Sequence, residues 1–249
     1  MQVRCSQCGA GIPVPADVSL IQCPFCDTAL VVDAGDTLFR VIMPPTVNTS
    51  TAVNHLRRFM AGTKTVADLD TQATIGDAEL FYFPFWAFRI MTSEGEKVAL
   101  EPAAPSSLQG LQGMTLPPGE SRNWTPEITG STPVIEPEIP MSTARQWLES
   151  RQGEVQIQRT VLYHLPMFRF SYGFKGRSYQ AAVDGVSGRV FPADFPAKAE
   201  APFIGVAALA IGVFSIEGLV ISNLFLKGVV YALSAVPILL LAWWVSRKV

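Results

Sequence analysis

The sequence predicts a multidomain α+β membrane protein, and three observations lead to this fold class. Four cysteines in two C-x-x-C pairs near the N-terminus predict a small β zinc ribbon. Two similar aromatic blocks in the middle of the chain predict a duplicated helix-plus-antiparallel-sheet domain. An almost uncharged C-terminal stretch predicts a two-helix transmembrane hairpin.

The cysteines give the most specific signal. Cys5, Cys8, Cys23 and Cys26 are the only four cysteines among 249 residues. Each pair can form a tight knuckle that presents two thiolates to one ion, and the gap between the pairs is long enough for a hairpin. We therefore expect one structural Zn²⁺ ion with all four as ligands, which leaves no open position for catalysis.

Three other readings of the cysteines remain open. Two disulfides would require an oxidising compartment. A rubredoxin-like iron site has similar knuckles but normally a longer gap between them. A redox-active C-x-x-C pair usually opens a helix in a βαβ unit, and the sequence around neither pair predicts such a unit.

Composition shifts divide the chain into six segments. The predicted segments are a zinc ribbon (1–36), a first α+β repeat (37–100), a Pro/Gly-rich insertion (101–140), a second α+β repeat (141–195), a linker (196–202) and the transmembrane helical hairpin (203–246).

The internal repeat is clearest when Pro84 is aligned with Pro166. The alignment matches the stretch 83–88 with 165–170, and each block is preceded by a capped helical stretch and followed by a hairpin. We expect the aromatic side chains to pack in a core, with a ligand groove as the alternative. A proline in each block favours a sheet edge or a bulge.

The C-terminal fifth predicts two membrane-spanning helices, roughly 203–222 and 226–246, joined by a turn near Asn223. Glu217 is the only charged residue of the first helix, and the second is uncharged over 228–246. Both approach the ~20 apolar residues that a bilayer core requires. The alternative is a buried core hairpin of a soluble protein.

Charge sets the expected orientation of this hairpin. Lys198, Arg247 and Lys248 flank its two ends, whereas the turn carries Lys227. The positive-inside rule then places both termini in the cytoplasm, with the chain in the inner (cytoplasmic) membrane. Metal-binding thiols independently favour a reducing compartment.

Glu217 has two possible roles. We expect it to reach the membrane interface or to pair with Lys227, and a deeper position would instead indicate a partner contact or an ion path. Gly205, Gly212 and Gly218 could allow close packing of the two helices.

The sequence predicts no enzyme, no catalytic residue and no organic cofactor site. His55 and His164 lie in unlike contexts, and neither belongs to a recognisable catalytic motif. No cysteine is left over as a nucleophile, and no phosphate-binding glycine loop is present.

Ribbon charge disfavours nucleic acid as the partner. Residues 1–36 contain Arg4 as their single base against four aspartates, whereas phosphate contact requires Lys and Arg. A protein partner fits better, with Phe25 and the region of Ile12, Val14 and Val18 as expected contact points. The alternative is a nucleic-acid-binding zinc ribbon tethered to the membrane.

The order of the segments resembles prokaryotic zinc-ribbon-containing membrane proteins. The four cysteines, the Leu-x-Tyr-x-Pro-Phe-Trp block at Leu80–Trp86 and the C-terminal hydrophobic hairpin carry this resemblance. It implies a membrane-anchored, cytosol-facing adaptor or scaffold that binds a protein partner within a membrane-stress or remodelling assembly. The partners expected are therefore the lipid bilayer and a protein, in a homo- or hetero-oligomeric complex.

Overall fold

The computed structural model describes residues 2–15, 20–33, 36–93, 95–198 and 201–248. The chain forms two compact units, one of Met1–Phe59 with Gln72–Phe195 and the other of Met60–Thr71 with Pro196–Val249. All four cysteines and the aromatic blocks belong to the first unit, and the C-terminal helices belong to the second.

Strands dominate the first unit and helices the second. The strands of the described residues are β1 (Gln2–Arg4), β2 (Gly11–Pro13), β3 (Leu20–Gln22), β4 (Ala29–Asp33), β5 (Asp36–Ile42), β6 (Thr74–Ile75), β7 (Glu79–Thr92), β8 (Gly95–Pro102), β9 (Met114–Thr115), β10 (Arg122–Asn123), β11 (Gln156–Phe174), β12 (Arg177–Asp184) and β13 (Val190–Pro192). The helices are α1 (Thr49–Met60), α2 (Leu69–Gln72), α3 (Pro126–Thr129), α4 (Met141–Gln152), α5 (Ala201–Val220) and α6 (Leu224–Lys248).

One large sheet organises the first unit. Among the described residues, seven of its strands follow the order β3-β4-β5-β11-β7-β8-β9, with β10 beside β5, β6 and β12 beside β11, and β13 beside β12. β5 and β11 pair in parallel, and the other pairs are antiparallel. β1 and β2 form a separate two-stranded sheet, so only the second half of the ribbon joins the large sheet.

The two aromatic blocks are the neighbouring central strands β7 and β11. Pro84 and Pro166 lie inside these strands, and each pairs with a residue of the other strand. The expectation of a sheet edge or bulge at the prolines is therefore wrong. A proline lacks the backbone N–H donor but keeps its carbonyl acceptor. The carbonyl of Pro84 accepts from the Ala103 N–H at 2.9 Å, and that of Pro166 accepts from the Gly185 N–H at 2.7 Å.

Both halves of the predicted repeat have the same order of elements. A helix, α1 or α4, precedes each aromatic strand, and a return strand, β8 or β12, follows it. The two halves contribute to one sheet, in which the aromatic strands β7 and β11 are neighbours. The duplication itself stays a prediction.

The sheet buries aromatic side chains on both faces, as its period-2 alternation requires. On one face, α4 covers Trp86, Phe88 and Ile90. On the other, part of the insertion covers Phe83 and Phe85. The core role expected for the aromatic blocks is confirmed.

The Pro/Gly-rich insertion packs on this sheet and contains only short elements, β9, β10 and α3. Trp124 lies under the guanidinium of Arg40, 4.0 Å from its carbon to the ring centre. The Ile135 N–H donates to the Tyr82 carbonyl at 2.9 Å. Both residues therefore lie against the domain.

The C-terminal helices pack on each other within the second unit. The Asn223 side chain accepts hydrogen bonds from the N–H groups of Phe225 and Leu226, both at 3.1 Å, and thereby caps α6. Across the pair, the Tyr231 hydroxyl donates to the Phe214 carbonyl at 3.1 Å. The predicted turn near Asn223 is confirmed.

Within the described residues, the stretch Leu224–Val245 of α6 is long and apolar enough to cross a membrane by length and composition, and none of its most apolar stretch is buried. The stretch Ile204–Val220 of α5 is a shorter apolar helix. One span is thus supported on these grounds, and a second span stays a prediction.

Candidate metal centre

Two knuckles with the same backbone geometry hold the four cysteines. The Cys5 N–H donates to the Ala10 carbonyl at 2.8 Å, and the Cys23 N–H donates to the Thr28 carbonyl at 3.0 Å. Each knuckle also closes on the carbonyl of its first cysteine, through the N–H of Gly9 or Asp27 at 2.9 Å. The chain therefore reverses direction just after each pair.

Each reversal needs a residue in the left-handed region. Gly9 has φ +75° and Asp27 has φ +57°. The glycine is recognisable in the sequence as a turn residue. Aspartate also tolerates this region, but nothing in the sequence around Asp27 distinguishes this role.

The four sulfurs converge on one point. The Sγ atoms of Cys5 and Cys26 are 3.7 Å apart, as are those of Cys8 and Cys23, and all four lie within 4.8 Å of one another. A tetrahedral ion with metal–sulfur bonds of about 2.3 Å would separate its ligands by about 3.8 Å. The four cysteines thus form a tetrad able to bind one metal ion.

This geometry argues against two of the alternatives. A disulfide requires sulfurs about 2.05 Å apart, far closer than these. Neither C-x-x-C pair opens a helix: the first lies between β1 and β2 and the second between β3 and β4. Tetrahedral iron would use the same four sulfurs, so the geometry alone does not distinguish it from zinc.

The ionisation of each thiol in the tetrad depends on its neighbours. The Ala10 N–H lowers the pKa of Cys8, but desolvation and the three neighbouring thiols outweigh it and raise that pKa to about 12. Hydrogen bonds from the Thr28 side chain and backbone lower the pKa of Cys26 to about 6. Four thiolates packed this closely require a positive ion between them.

The tetrad sits over a small apolar core. Cys5 and Cys23 are buried, Cys26 is half-buried and Cys8 is exposed. The buried neighbours are Val3, Ile12, Val14, Leu30 and Val32. Four protein ligands would leave a tetrahedral ion no open coordination position.

The surface of the ribbon differs in part from expectation. Phe25, between the cysteines of the second pair, is 68% exposed. The prediction that Ile12 and Val14 are contact points is wrong, because both side chains are buried in the ribbon core. Val18 lies outside the described residues.

The two histidines occupy unrelated places. The imidazole of His55 lies against Gly188, where any Cβ would clash with it. His164 is fully buried, and its Nε2 is 3.2 Å from the guanidinium of Arg40. Burial, followed by the charge of Arg40, lowers the pKa of His164 to about 3, so the imidazole is neutral at pH 7.

Arg40 itself is a buried cation that sequence reasoning did not single out. Its side chain is 4% exposed, and its guanidinium lies 3.1 Å from a carboxylate oxygen of Glu136. Burial lowers the pKa of Arg40, and the Glu136 charge opposes that shift. The one signal in the sequence is a lone charge within an apolar strand, Leu38–Ile42.

Glu217 does not pair with Lys227. Its carboxylate accepts from the Ser234 hydroxyl at 3.0 Å, while the Lys227 ammonium donates to the Gly218 carbonyl at 2.8 Å. Gly218 allows a close approach, because a Cβ there would lie 2.7 Å from the Tyr231 hydroxyl oxygen. Gly205 and Gly212 face open space.

Comparison with protein-family models, with curated proteins and with solved structures gave no match to this chain. The resemblance to prokaryotic zinc-ribbon membrane proteins therefore stays a prediction.

Proposed function

We propose that this chain is a membrane-anchored, cytosol-facing adaptor whose zinc ribbon binds a protein partner. The observation that carries the proposal is the exposure of Phe25 beside the sulfur tetrad. Outside the C-terminal helices, Phe25 and Met91 are the large hydrophobic side chains that the described residues expose. Aromatic side chains of this kind are enriched at the centres of protein interfaces.

The tetrad supports this role because it fixes the position of Phe25. Phe25 lies between two metal ligands, Cys23 and Cys26, so a bound ion would hold its backbone rigid. An anchor that is already rigid loses little conformational entropy when it binds. Zinc is the ion proposed, since closed four-cysteine sites are typical of it.

The apolar helix supports the membrane anchor. The stretch Leu224–Val245 exposes its apolar side chains instead of burying them as a core helix of a soluble protein would. We assign α5 to the same anchor, which gives a hairpin in the inner (cytoplasmic) membrane. Because Lys198, Arg247 and Lys248 flank the two ends of this hairpin, both termini are assigned to the cytoplasm.

The test of the adaptor role is quantitative affinity purification of the full chain from detergent-solubilised membranes. Phe25→Ala should remove the partner, whereas the matched exposed substitution Met91→Ala should retain it. Deletion of residues 1–36 should have the same effect as Phe25→Ala. A partner set unchanged by that deletion would exclude the ribbon as the binding surface.

Two further measurements test the ion and the anchor separately. Elemental analysis of the purified chain should find one zinc per chain, and stoichiometric iron without zinc would overturn the choice of metal. Alkaline carbonate extraction should leave the full chain in the membrane fraction and release residues 1–198. Release of the full chain would overturn the anchor.

A further inference from the structure

A groove of about 380 Å³ opens on the face of the large sheet that α4 does not cover. Its floor is made by four small apolar side chains on neighbouring strands: Val41, Ala87, Val98 and Val161. Gln7, from the first cysteine knuckle, lines its rim. The volume falls within the range of small-molecule sites.

Two arginines stand directly opposite each other in this groove. Arg89 on β7 and Arg159 on β11 are partners in the strand register, and both line the groove. Side chains so paired start about 5 Å apart, and like charges in this position destabilise a sheet. Such a pair of like charges is therefore expected to be balanced by negative charge, either from the protein or from a ligand.

An irregularity in β11 creates the pair. Ile157 pairs with Ile90, and the next residue of β11 that pairs with β7 is Arg159, opposite Arg89. The extra residue, Gln158, forms a bulge. Without it, alternation would place Gln158 opposite Arg89 and turn Arg159 toward the other face of the sheet. Bulges of this kind re-aim side chains and are enriched beside functional sites.

The charges of the groove do not balance. Glu96 forms an ion pair with Arg89 at 3.1 Å. Arg159 lies over the Phe39 ring, 4.5 Å from its centre, and no acidic side chain of the described residues forms an ion pair with it. Among the described residues, the positive charge of Arg159 is therefore left without a counter-charge beside the apolar floor.

We propose that this groove binds a small organic monoanion with an apolar chain, of which a medium-chain carboxylate is the simplest. The carboxylate lies at Arg159 and Arg89. A guanidinium can hold a carboxylate through two parallel hydrogen bonds. The alkyl chain lies along Val41, Val98 and Val161, which are partly exposed, and removes their exposed surface from water. This site is separate from the metal centre and does not depend on the adaptor role.

The experiment is isothermal titration of octanoate into the full chain held in nanodiscs of neutral phosphatidylcholine, with empty nanodiscs as the blank. We expect one site per chain. Arg159→Gln should weaken binding at least tenfold, and Arg177→Gln, the same change at the exposed tip of the β11–β12 hairpin, should leave it unchanged. Glu96→Gln should tighten binding two- to fivefold, because it releases Arg89; a variant that merely misfolds would not bind more tightly.

The ligand series separates the two parts of the site. Octanamide has the chain without the charge and acetate has the charge without the chain, so each should bind at least tenfold more weakly than octanoate. Equal binding of either one would overturn the proposal, as would equal losses in Arg159→Gln and Arg177→Gln. Tighter binding of the peptide acetyl-Leu-Asp-Leu-amide would assign the groove to an acidic protein segment instead.

Discussion

The ribbon and the central sheet belong to one compact unit, yet their cores differ in kind. Among the described residues, the ribbon core consists of five aliphatic side chains and two cysteines, which is too little apolar surface for a fold that is stable alone. The sheet buries the aromatic side chains of two long strands on both of its faces. We therefore expect the ribbon to depend on a bound metal ion and the sheet to depend on side-chain packing.

Removal of the metal should have the largest effect and should affect only the ribbon. Structural zinc contributes on the order of 10 kcal/mol in small zinc modules. In Cys23→Ser we expect less than a tenth of the wild-type metal content and proteolytic cleavage confined to residues 1–33. Elemental analysis and limited proteolysis with mass spectrometry measure both.

The control is Thr28→Val, which removes the hydroxyl 3.3 Å from the Cys26 sulfur but keeps all four ligands. It should retain the ion. Cleavage of Cys23→Ser throughout β7 and β11 would break the comparison, because it would show that the sheet also depends on the ion.

Truncation of an aromatic side chain in the sheet core should destabilise the sheet and leave the metal content of the ribbon unchanged. Phe88 is fully buried, and Phe88→Ala should lower the free energy of unfolding by about 3–5 kcal/mol without changing the metal content. The same substitution at exposed Phe25 should cost less than about 0.5 kcal/mol. Denaturant unfolding followed by circular dichroism measures both, and metal loss in Phe88→Ala would contradict the separation.

How far the sequence predicts each region follows from the range of its interactions. The metal ligands are predictable because each knuckle is set by residues four or five apart in the chain. The parallel pairing of β5 with β11 is not, because it joins residues more than one hundred positions apart and depends on packing. The bulge at Gln158 has the same origin: only its pairing with β7 shows that one residue is extra.

Local signals also fail where two candidates compete. Asparagine, serine and threonine can all cap a helix, and such residues fill positions 48–51. The helix α1 begins at Thr49, and it is the side chain of Asn48 that accepts from the Thr51 N–H at 2.9 Å. The buried charge of Arg40 was missed for a different reason. Its partners, Glu136 and His164, come from distant segments, and no local pattern connects them.

Loss of the Glu136 charge tests a polar contribution to the sheet core. Glu136→Gln leaves Arg40 buried without its counter-charge and should cost about 1–3 kcal/mol, toward the lower end because the Glu136 side chain is 56% exposed. The matched change Glu149→Gln breaks an exposed helix pair with Arg145 and should cost less than about 0.5 kcal/mol. Denaturant unfolding measures both changes. Equal losses of unfolding free energy in Glu136→Gln and Glu149→Gln would show that the Arg40–Glu136 pair does not stabilise the sheet.

Acid should weaken the sheet through His164. Its pKa of about 3 in the folded chain lies below the ordinary value near 6.5, so the unfolded chain binds more protons between these limits. The contribution of neutral His164 to the free energy of unfolding is fully present above pH 6.5. It is lost as the pH falls, by about 2 kcal/mol at pH 5. Denaturant midpoints of wild type, His164→Gln and His55→Gln at pH 7 and pH 5 measure it. The fall in the denaturant midpoint between pH 7 and pH 5 should vanish only in His164→Gln. An unchanged fall in that variant would assign the acid sensitivity to other groups.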